Sequence, residues 1–166
     1  MIWSTTAELH SVLAPKILPL LQGRPIEGTI TSSDFGSTAP QHYLGLVKQL
    51  LEPVLDRFAR EHSYRAWTVH RTWFQHYEPG DSHDWHVHPG CHFAGTYLIQ
   101  GTGTTDVDTP EAWSVPESTA GTVVVFPAYT AHRAPLTDKP RTVIAFNFSV
   151  DQPLVSPTAR SVRDFL

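Results

Sequence analysis

Histidine is the residue type whose distribution points most directly to chemistry in this chain of 166 residues. Six of the ten histidines fall between residues 70 and 92. Within that cluster, His86 and His88 are two residues apart, a spacing that places both imidazoles on one face of a strand and lets them share a metal ion. His132 is the only histidine after residue 92, and it follows an apolar strand and a turn. We therefore expect His132 to be the third ligand.

Histidines also occur as surface groups and as hydrogen-bonded core groups, and spacing alone leaves that interpretation open. His70 and His76 have the parity of neighbouring strand residues, which is typical of a decorated sheet face. His83 and His92 lie beside turn residues, so we expect them at solvent or at the rim of a pocket rather than on a metal.

Arg141 is the second residue that could have a role in binding or catalysis. It opens the apolar run 142–146, where a buried guanidinium is costly unless an anion pairs with it. The planar guanidinium suits bidentate binding of a carboxylate, and the hydroxyl of Tyr97 could share that ligand. A carboxylate cosubstrate would supply such an anion. The alternative is an exposed arginine at a strand end beside Asp138.

The elements that position these residues follow from hydrophobic periodicity. Apolar residues at steps of three and four predict a helix from Leu44 to Phe58, with a kink or break at Pro53. The period then drops to two, which predicts a long strand from Ala66 to Tyr77. Further strands are predicted at Trp85–His88, Phe93–Gln100, Thr122–Phe126 and Arg141–Val150. A helical segment followed by many short strands favours a mainly β fold, a sandwich or jelly roll with an N-terminal helical buttress.

Length and composition define the class of protein. A chain of this size predicts one domain, 1–166, with a helix-containing support at 1–65, a jelly-roll core carrying the site at 66–150 and a loosely packed tail at 151–166. The net charge of −4 and the lack of a basic run argue against nucleic acid and anionic membranes as partners.

Targeting signals are the next property that the sequence addresses. The apolar stretch 12–21 is interrupted by two prolines and a lysine, so we expect no membrane-spanning helix. Residues 1–10 lack the basic start of a signal peptide. The single cysteine, Cys91, cannot form an internal disulfide. A cytoplasmic location is therefore the expectation.

Several motifs occur in an order and spacing found in one enzyme superfamily: Trp73-Phe74-Gln75, Tyr77-Glu78-Pro79-Gly80, His86-Val87-His88-Pro89, Gly95-Thr96-Tyr97-Leu98, the run 121–127 with His132, and the run 141–148. On these motifs the chain resembles the iron(II) and 2-oxoglutarate-dependent oxygenases, specifically their small bacterial and phage-type branch. They cover residues 73 to 148, and the nine-residue step from His132 to Arg141 is also that of the superfamily.

The resemblance implies a double-stranded β-helix, a cupin-like jelly-roll barrel, with iron(II) near its mouth. It implies His86, His88 and His132 as the metal ligands. Most members have aspartate at the position of His88, whereas the small branch often has histidine. A third imidazole leaves the site one unit more positive and could favour another divalent metal. Asp84 is the alternative source of a carboxylate.

The resemblance also implies that Arg141 binds the distal carboxylate of 2-oxoglutarate, with Tyr97 as its hydroxyl partner and Tyr77 beside the cosubstrate. Val143 stands where the superfamily often has serine or threonine. Asn147 shares the parity of Arg141, so we expect it to contact the substrate or a metal ligand.

The predicted function is that of an iron(II)/2-oxoglutarate-dependent dioxygenase that hydroxylates a small-molecule or peptide substrate. One alternative is a cupin-like three-histidine metalloenzyme, a cosubstrate-independent dioxygenase or isomerase, in which Arg141 binds the substrate's own carboxylate. Another is a non-catalytic module whose zinc takes Cys91 as a fourth ligand. Whether sheet edges pair into a homodimer stays open. Four tryptophans are candidates for shaping a cavity: Trp67, Trp73, Trp85 and Trp113.

Overall fold

The computed structural model describes residues 2–26, 29–109 and 117–151. Its helices are α1 (His10–Ile17) and α2 (Leu44–Glu61), with a 3-10 turn at Leu18–Leu20. Its strands are β1 (Trp3–Thr6), β2 (Arg24–Ile26), β3 (Ile30–Ser33), β4 (Trp67–Tyr77), β5 (His83–His86), β6 (Phe93–Gln100), β7 (Thr102–Gly103), β8 (Asp106–Val107), β9 (Ser118–Thr119), β10 (Thr122–Pro127), β11 (His132–Ala134) and β12 (Arg141–Val150).

The strands form two antiparallel sheets that face one another. The large sheet has the order β1-β10-β6-β12-β4-β3-β2, and the small sheet has the order β5-β11-β8. A short pair, β7 and β9, stands beside them. The two helices pack on the outer face of the large sheet. A cavity lies between the two sheets and is lined by residues of both.

The main core lies between α2 and the large sheet. The buried residues of α2 recur at steps of three and four from Val47 to Ala59, as an amphipathic helix requires. Phe58 packs its ring against those of Phe93 and Phe148, with ring centroids 5.0 and 5.6 Å apart. The helix runs through Pro53 without the predicted break. The burial of this face outweighs the one backbone hydrogen bond that a proline removes.

Alternation along the central strands separates this core from the site. In β12, Phe146 and Phe148 belong to the helix-side core, whereas Ala145 and Asn147 line the cavity between the sheets. Since successive strand residues point to opposite faces, this register decides which residues reach the cavity.

One prediction about the strands needs correction. The strand predicted at Trp85–His88 is β5, which covers His83–His86, so His88 lies in the loop after the strand. The N-terminal part contains strands besides its helices, because β1, β2 and β3 join the large sheet. These strands have only three or four residues each, too few for a periodic signal.

Some predictions fall outside the described residues. Trp113 and all of the predicted tail except Asp151 are among them. Within the described part of the chain, neither helix combines the length and apolar character needed to cross a membrane.

Gly95 offers a test of the packing between β6 and β12. It pairs with Phe146, and a Cβ atom at Gly95 would overlap the Phe146 ring. We expect Gly95→Ala to lower the free energy of unfolding by about 1–3 kcal/mol, since overpacking forces side chains or backbone to shift. Chemical denaturation measures this change.

The matched control is Gly45→Ala in α2, where a Cβ would meet nothing within 4 Å. Alanine is the better helix former, so this variant should unfold at the same or a slightly higher denaturant concentration. Equal stability of Gly95→Ala and wild type would contradict the packing described here.

Candidate active site

Three imidazoles meet between the two sheets. His132 in β11 pairs directly with His86 in β5, and His88 follows two residues later. The candidate ligand atoms of these three residues lie within 4.8 Å of one another. The Nε2 atoms of His88 and His132 are 3.0 Å apart. The structure thus brings together the three histidines that the sequence singles out.

Backbone carbonyls fix the orientation of two of these rings. His86 Nδ1 lies 2.7 Å from the carbonyl oxygen of Asp84, and His132 Nδ1 lies 3.1 Å from that of Thr130. A carbonyl can only accept, so each Nδ1 carries the proton and donates it. The lone pair of each Nε2 is therefore available to a metal ion.

Asn147 holds the third ring. Its amide nitrogen lies 3.3 Å from His88 Nδ1, while its Oδ1 is buried without a hydrogen-bond partner. Rotating the amide by half a turn lets Oδ1 accept from His88 Nδ1–H, and His88 Nε2 is then also free for a metal. Asn147 faces the cavity, as the parity of β12 predicts.

Burial keeps the imidazoles of His88 and His132 neutral. Desolvation, with a smaller effect of nearby His86, lowers the pKa of His132 to about 3. Desolvation, followed by the effects of His86, His83 and Arg71, lowers the pKa of His88 to about 4. The neutral imidazole is the form that binds metals, so both side chains are ready to do so at neutral pH.

The donor set fits a divalent transition metal. Two ligands about 2.1 Å from an ion and at right angles to each other are about 3.0 Å apart, and the Nε2 atoms of His88 and His132 have that separation. Imidazole nitrogens suit iron, zinc, copper and nickel. Three protein ligands also leave coordination positions for exogenous groups.

Neither of the additional ligands considered from the sequence joins this group. Within the described residues the cluster contains histidines only. Asp84 is exposed and absent from the lining of the cavity. The thiol of Cys91 instead donates to the carbonyl oxygen of His88 at 3.6 Å. The zinc site completed by Cys91 is therefore not formed.

The three histidines line an open cavity of about 480 Å³ between the sheets. The large sheet contributes two paired rows of side chains to it. In β4 and β12, Tyr77 pairs with Arg141, Gln75 with Val143 and Trp73 with Ala145. No aspartate or glutamate is among the lining residues of the described chain. The cavity is therefore suited to anions.

Arg141 is a buried cation without an anionic partner among the described residues. Only 4% of it is exposed, and burial lowers its pKa. Its Nη1 donates to the carbonyl oxygen of Thr104 at 2.6 Å, but its Nε is buried and has no hydrogen-bond partner. The nearby carboxylate of Asp106 is bonded to Arg133 at 2.8 Å. Arg141 is thus not the exposed strand-end residue considered as an alternative, and it fits a carboxylate ligand.

The two tyrosines predicted for the cosubstrate lie on opposite faces of the large sheet. Tyr77 lines the cavity, lies under the Arg141 guanidinium at 5.0 Å and donates its hydroxyl to Gln75 Oε1 at 3.1 Å. Tyr97 is fully buried in the helix-side core, with its hydroxyl 2.6 Å from His10 Nδ1. The prediction that Tyr97 shares a ligand with Arg141 is wrong, because its neighbour Thr96 takes the cavity face of β6.

His83, which the sequence places at solvent or at a pocket rim, lines the cavity, and so does Gln75, which the sequence analysis did not propose as a site residue. His83 stacks on His86 with ring centroids 4.1 Å apart, and burial lowers the pKa of His83 to about 4. Gln75 donates to His83 Nδ1 at 3.4 Å. Gln75 has the parity of Trp73 and Tyr77, so strand alternation could have identified it.

Of the tryptophans proposed for the cavity, Trp73 lines it. Trp67 donates to Asp56 instead, and Trp85 is 37% exposed beneath the guanidinium of Arg133.

Comparison with known proteins identifies the fold that carries this site. Residues 73–145 match the cupin domain family. An oxidoreductase of the 2OG-Fe(II) oxygenase family from Burkholderia pseudomallei superposes with a TM-score of 0.67 at 15% identity, over 89% of this chain and 84% of that chain. The fold is a double-stranded β-helix. The resemblance to that superfamily, predicted from the sequence, is thereby confirmed at the level of fold.

Two further double-stranded β-helix structures are similar over most of the chain. A prolyl-4-hydroxylase from Pseudomonas putida has a TM-score of 0.59 at 13% identity and covers 89% of this chain and 91% of that chain. The viral collagen prolyl hydroxylase from Paramecium Bursaria Chlorella virus-1 has a TM-score of 0.62 at 10% identity, with coverages of 91% and 96%. No curated protein matches by sequence.

Metal titration tests the three-histidine group. Zinc(II) or manganese(II) should raise the thermal stability of wild type, by about 2.7 kcal/mol at a hundredfold excess over the dissociation constant. His132→Ala should lose this stabilisation and the bound metal. His70→Ala is the control, because His70 is exposed and bonds Ser149. Equal stabilisation of His132→Ala and wild type would exclude His132 as a ligand.

The lowered pKa values predict how the metal-free protein responds to acid. A histidine whose pKa is about 3 or 4 when folded and 6.5 when unfolded binds fewer protons in the folded state. Stability should therefore fall as the pH drops below about 6.5, and continue to fall towards pH 4. Denaturation across this range should show a smaller loss for His132→Gln than for wild type.

The control for this comparison is His42→Gln, since His42 is exposed and lies outside the cavity lining. It should follow the wild-type pH dependence. An unchanged pH dependence in His132→Gln would argue against a buried neutral His132.

Proposed function

We propose that this double-stranded β-helix protein is a non-haem iron(II) and 2-oxoglutarate-dependent oxygenase. The observation that carries the proposal is the buried, anion-free guanidinium of Arg141 in the cavity that the three histidines also line. An enzyme of this class needs a metal-binding group and a carboxylate receptor that line one cavity. Both residue sets are present here.

Different residues of the chain would bind the metal and the cosubstrate. His86, His88 and His132 would hold the iron, which supplies the activation of dioxygen while 2-oxoglutarate supplies electrons. Arg141 would bind the distal carboxylate of 2-oxoglutarate, with its free Nε–H as one donor. The carbonyl groups of Asp84 and Thr130 keep two imidazoles in the tautomer that a metal requires.

The wall of the cavity would exclude water and leave room for the cosubstrate. Gln75 and Tyr77 form a hydrogen-bonded pair beneath the Arg141 side chain. Val143 and Ala145 expose only small apolar groups to the same space. Val143 replaces the serine or threonine frequent in the superfamily, so the hydroxyl that would assist Arg141 must come from another residue. Thr96, which lines the cavity, is the candidate for that role.

The structural neighbours support the choice of reaction class. One bears the name of the 2OG-Fe(II) oxygenase family, and the viral prolyl hydroxylase is described as a complex with 2OG. At 10–15% identity these similarities establish the fold, and the activity of this chain is inferred from its own residues.

A second candidate function is favoured by the lack of a carboxylate ligand. Three imidazole ligands also suit a cupin-like metalloenzyme that uses no 2-oxoglutarate, either a dioxygenase or an isomerase. Arg141 would then bind the carboxylate of the substrate itself. The two candidates differ in whether 2-oxoglutarate binds and is consumed.

Turnover of 2-oxoglutarate distinguishes the two candidates. Iron-loaded wild type should bind 2-oxoglutarate and slowly decarboxylate it in air, and Arg141→Gln should weaken its binding at least tenfold by removing the charged donors. Binding is measured by the metal-to-ligand absorption band under anaerobic conditions, and turnover by succinate release.

Tyr97→Phe is the matched control, since the Tyr97 hydroxyl lies on the far side of the sheet beside His10. This variant should bind 2-oxoglutarate as wild type does. If neither wild type nor Tyr97→Phe binds 2-oxoglutarate, the cosubstrate-independent alternative is preferred.

A further inference from the structure

A second arginine occupies the opposite end of the rows that line the cavity. In the pairing of β4 with β12, Arg141 lies opposite Tyr77 and Arg71 lies opposite Asn147. Arg71 and Tyr77 are six residues apart along β4, which corresponds to about 20 Å of strand. Since Asn147 contacts His88, Arg71 stands at the histidine end and Arg141 at the other end.

Aromatic rings hold the Arg71 guanidinium in place. Its central carbon lies 4.1 Å from the ring centroid of Phe35 and 5.9 Å from that of Trp73. Phe35 and Trp73 pack edge to face at 5.2 Å, and the Trp73 ring continues to His88 at 5.5 Å. A chain of ring contacts therefore leads from Arg71 to a candidate metal ligand.

Arg71 is exposed, and its guanidinium donates no hydrogen bond to another described residue. Its side-chain contacts among the described residues are with these two rings, and no described acidic side chain forms an ion pair with it. A guanidinium lying over an aromatic ring keeps its edge free, and that edge is the part that binds a carboxylate through two parallel hydrogen bonds.

The groove around Arg71 has room for a small molecule. It has a volume of about 630 Å³, part of which is open to solvent, and it shares Trp73 with the metal cavity. The one acidic residue lining it is Asp34. The Asp34 carboxylate is 5% exposed and accepts hydrogen bonds from Tyr43, Gln41 and the Phe74 amide. Asp34 is thus engaged in holding its own loop, and Phe35, at 42% exposure, offers an apolar surface beside the free cation.

We propose that Arg71 binds a carboxylate of the primary substrate, which is a small organic acid whose apolar body lies along Phe35 and Trp73 towards His88. This inference rests on the proposed function only in taking the bound acid to be the molecule that is oxidised. The chain then has two carboxylate receptors, Arg141 for the cosubstrate and Arg71 for the substrate, at opposite ends of the paired rows of β4 and β12. None of the described residues that line the metal cavity is acidic, which suits both ligands.

The test compares an acid with its neutral isostere on the full chain loaded with zinc(II). The probes are 3-phenylpropionate and 3-phenylpropanamide, titrated by calorimetry with and without saturating 2-oxoglutarate. Wild type should bind the acid at least tenfold more tightly than the amide. Arg71→Gln should weaken acid binding about tenfold, equivalent to about 1.4 kcal/mol, and leave amide binding unchanged. Arg71→Lys should fall between these, because an ammonium cannot form the paired hydrogen bonds.

The control is Arg65→Gln, which removes the same charge from an exposed position in the connection between α2 and β4. It should bind both probes as wild type does. Equal acid affinity in wild type and Arg71→Gln would overturn the inference, and so would an equal loss in Arg65→Gln. If Arg141→Gln loses the preference for 3-phenylpropionate over the amide and Arg71→Gln keeps it, the acid binds at Arg141 instead.

Failure of the two proposals can be told apart. If 2-oxoglutarate does not bind while the acid preference depends on Arg71, the oxygenase proposal fails and the acid site stands. If 2-oxoglutarate binds through Arg141 and the acid preference does not depend on Arg71, the reverse holds.

Discussion

The pairing of β11 with β5 is the contact on which the site depends, because it sets His132 directly across from His86. A shift of one residue in this pairing would turn one imidazole to the other face of the small sheet. The loop after β5 then returns His88 to the same point, where its Nε2 lies 3.0 Å from that of His132. Burial in this crowded group lowers the pKa of His88 to about 4 and of His132 to about 3, which keeps these two imidazoles neutral at neutral pH. The rest of the fold supports this crowded and partly desolvated arrangement.

The large sheet serves two environments at once. Its outer face carries the aromatic residues that pack on α2, including Phe146 and Phe148. Its inner face carries small and polar residues, with Arg141 and Asn147 at the two ends of the β12 row. A buried guanidinium is expensive to desolvate, and Arg141 is compensated only in part by carbonyl oxygens. Such a residue is stable chiefly in the presence of an anion, which links folding of the cavity wall to ligand binding.

Much of the fold and part of the site could be predicted from the sequence. The long strands β4, β6, β10 and β12 have clear period-two patterns or apolar runs, and α2 has a clear helical period, so their positions were predicted to within a few residues. The spacing of His86 and His88, with His132 as the remote partner, identified the group that the structure brings together. The short strands β1, β2 and β3 could not be predicted, because three or four residues carry no periodicity. Tyr97 was assigned to the wrong face of β6, because the sequence motif does not show whether Tyr97 or its neighbour Thr96 faces the cavity.

The sequence by itself determined the chemistry that is available: the clustered imidazoles, an arginine at the start of an apolar strand, and the alternation that makes a mainly β fold. The tertiary structure alone decided which of these groups face one another. Strand register put Tyr77 under Arg141 and turned Tyr97 towards α1. It also brought Arg71 beside Phe35, which lies in a loop far away along the chain. The physical reason is that a periodic pattern specifies the two faces of a strand, whereas the identity of each face is set by long-range packing against helices and the second sheet.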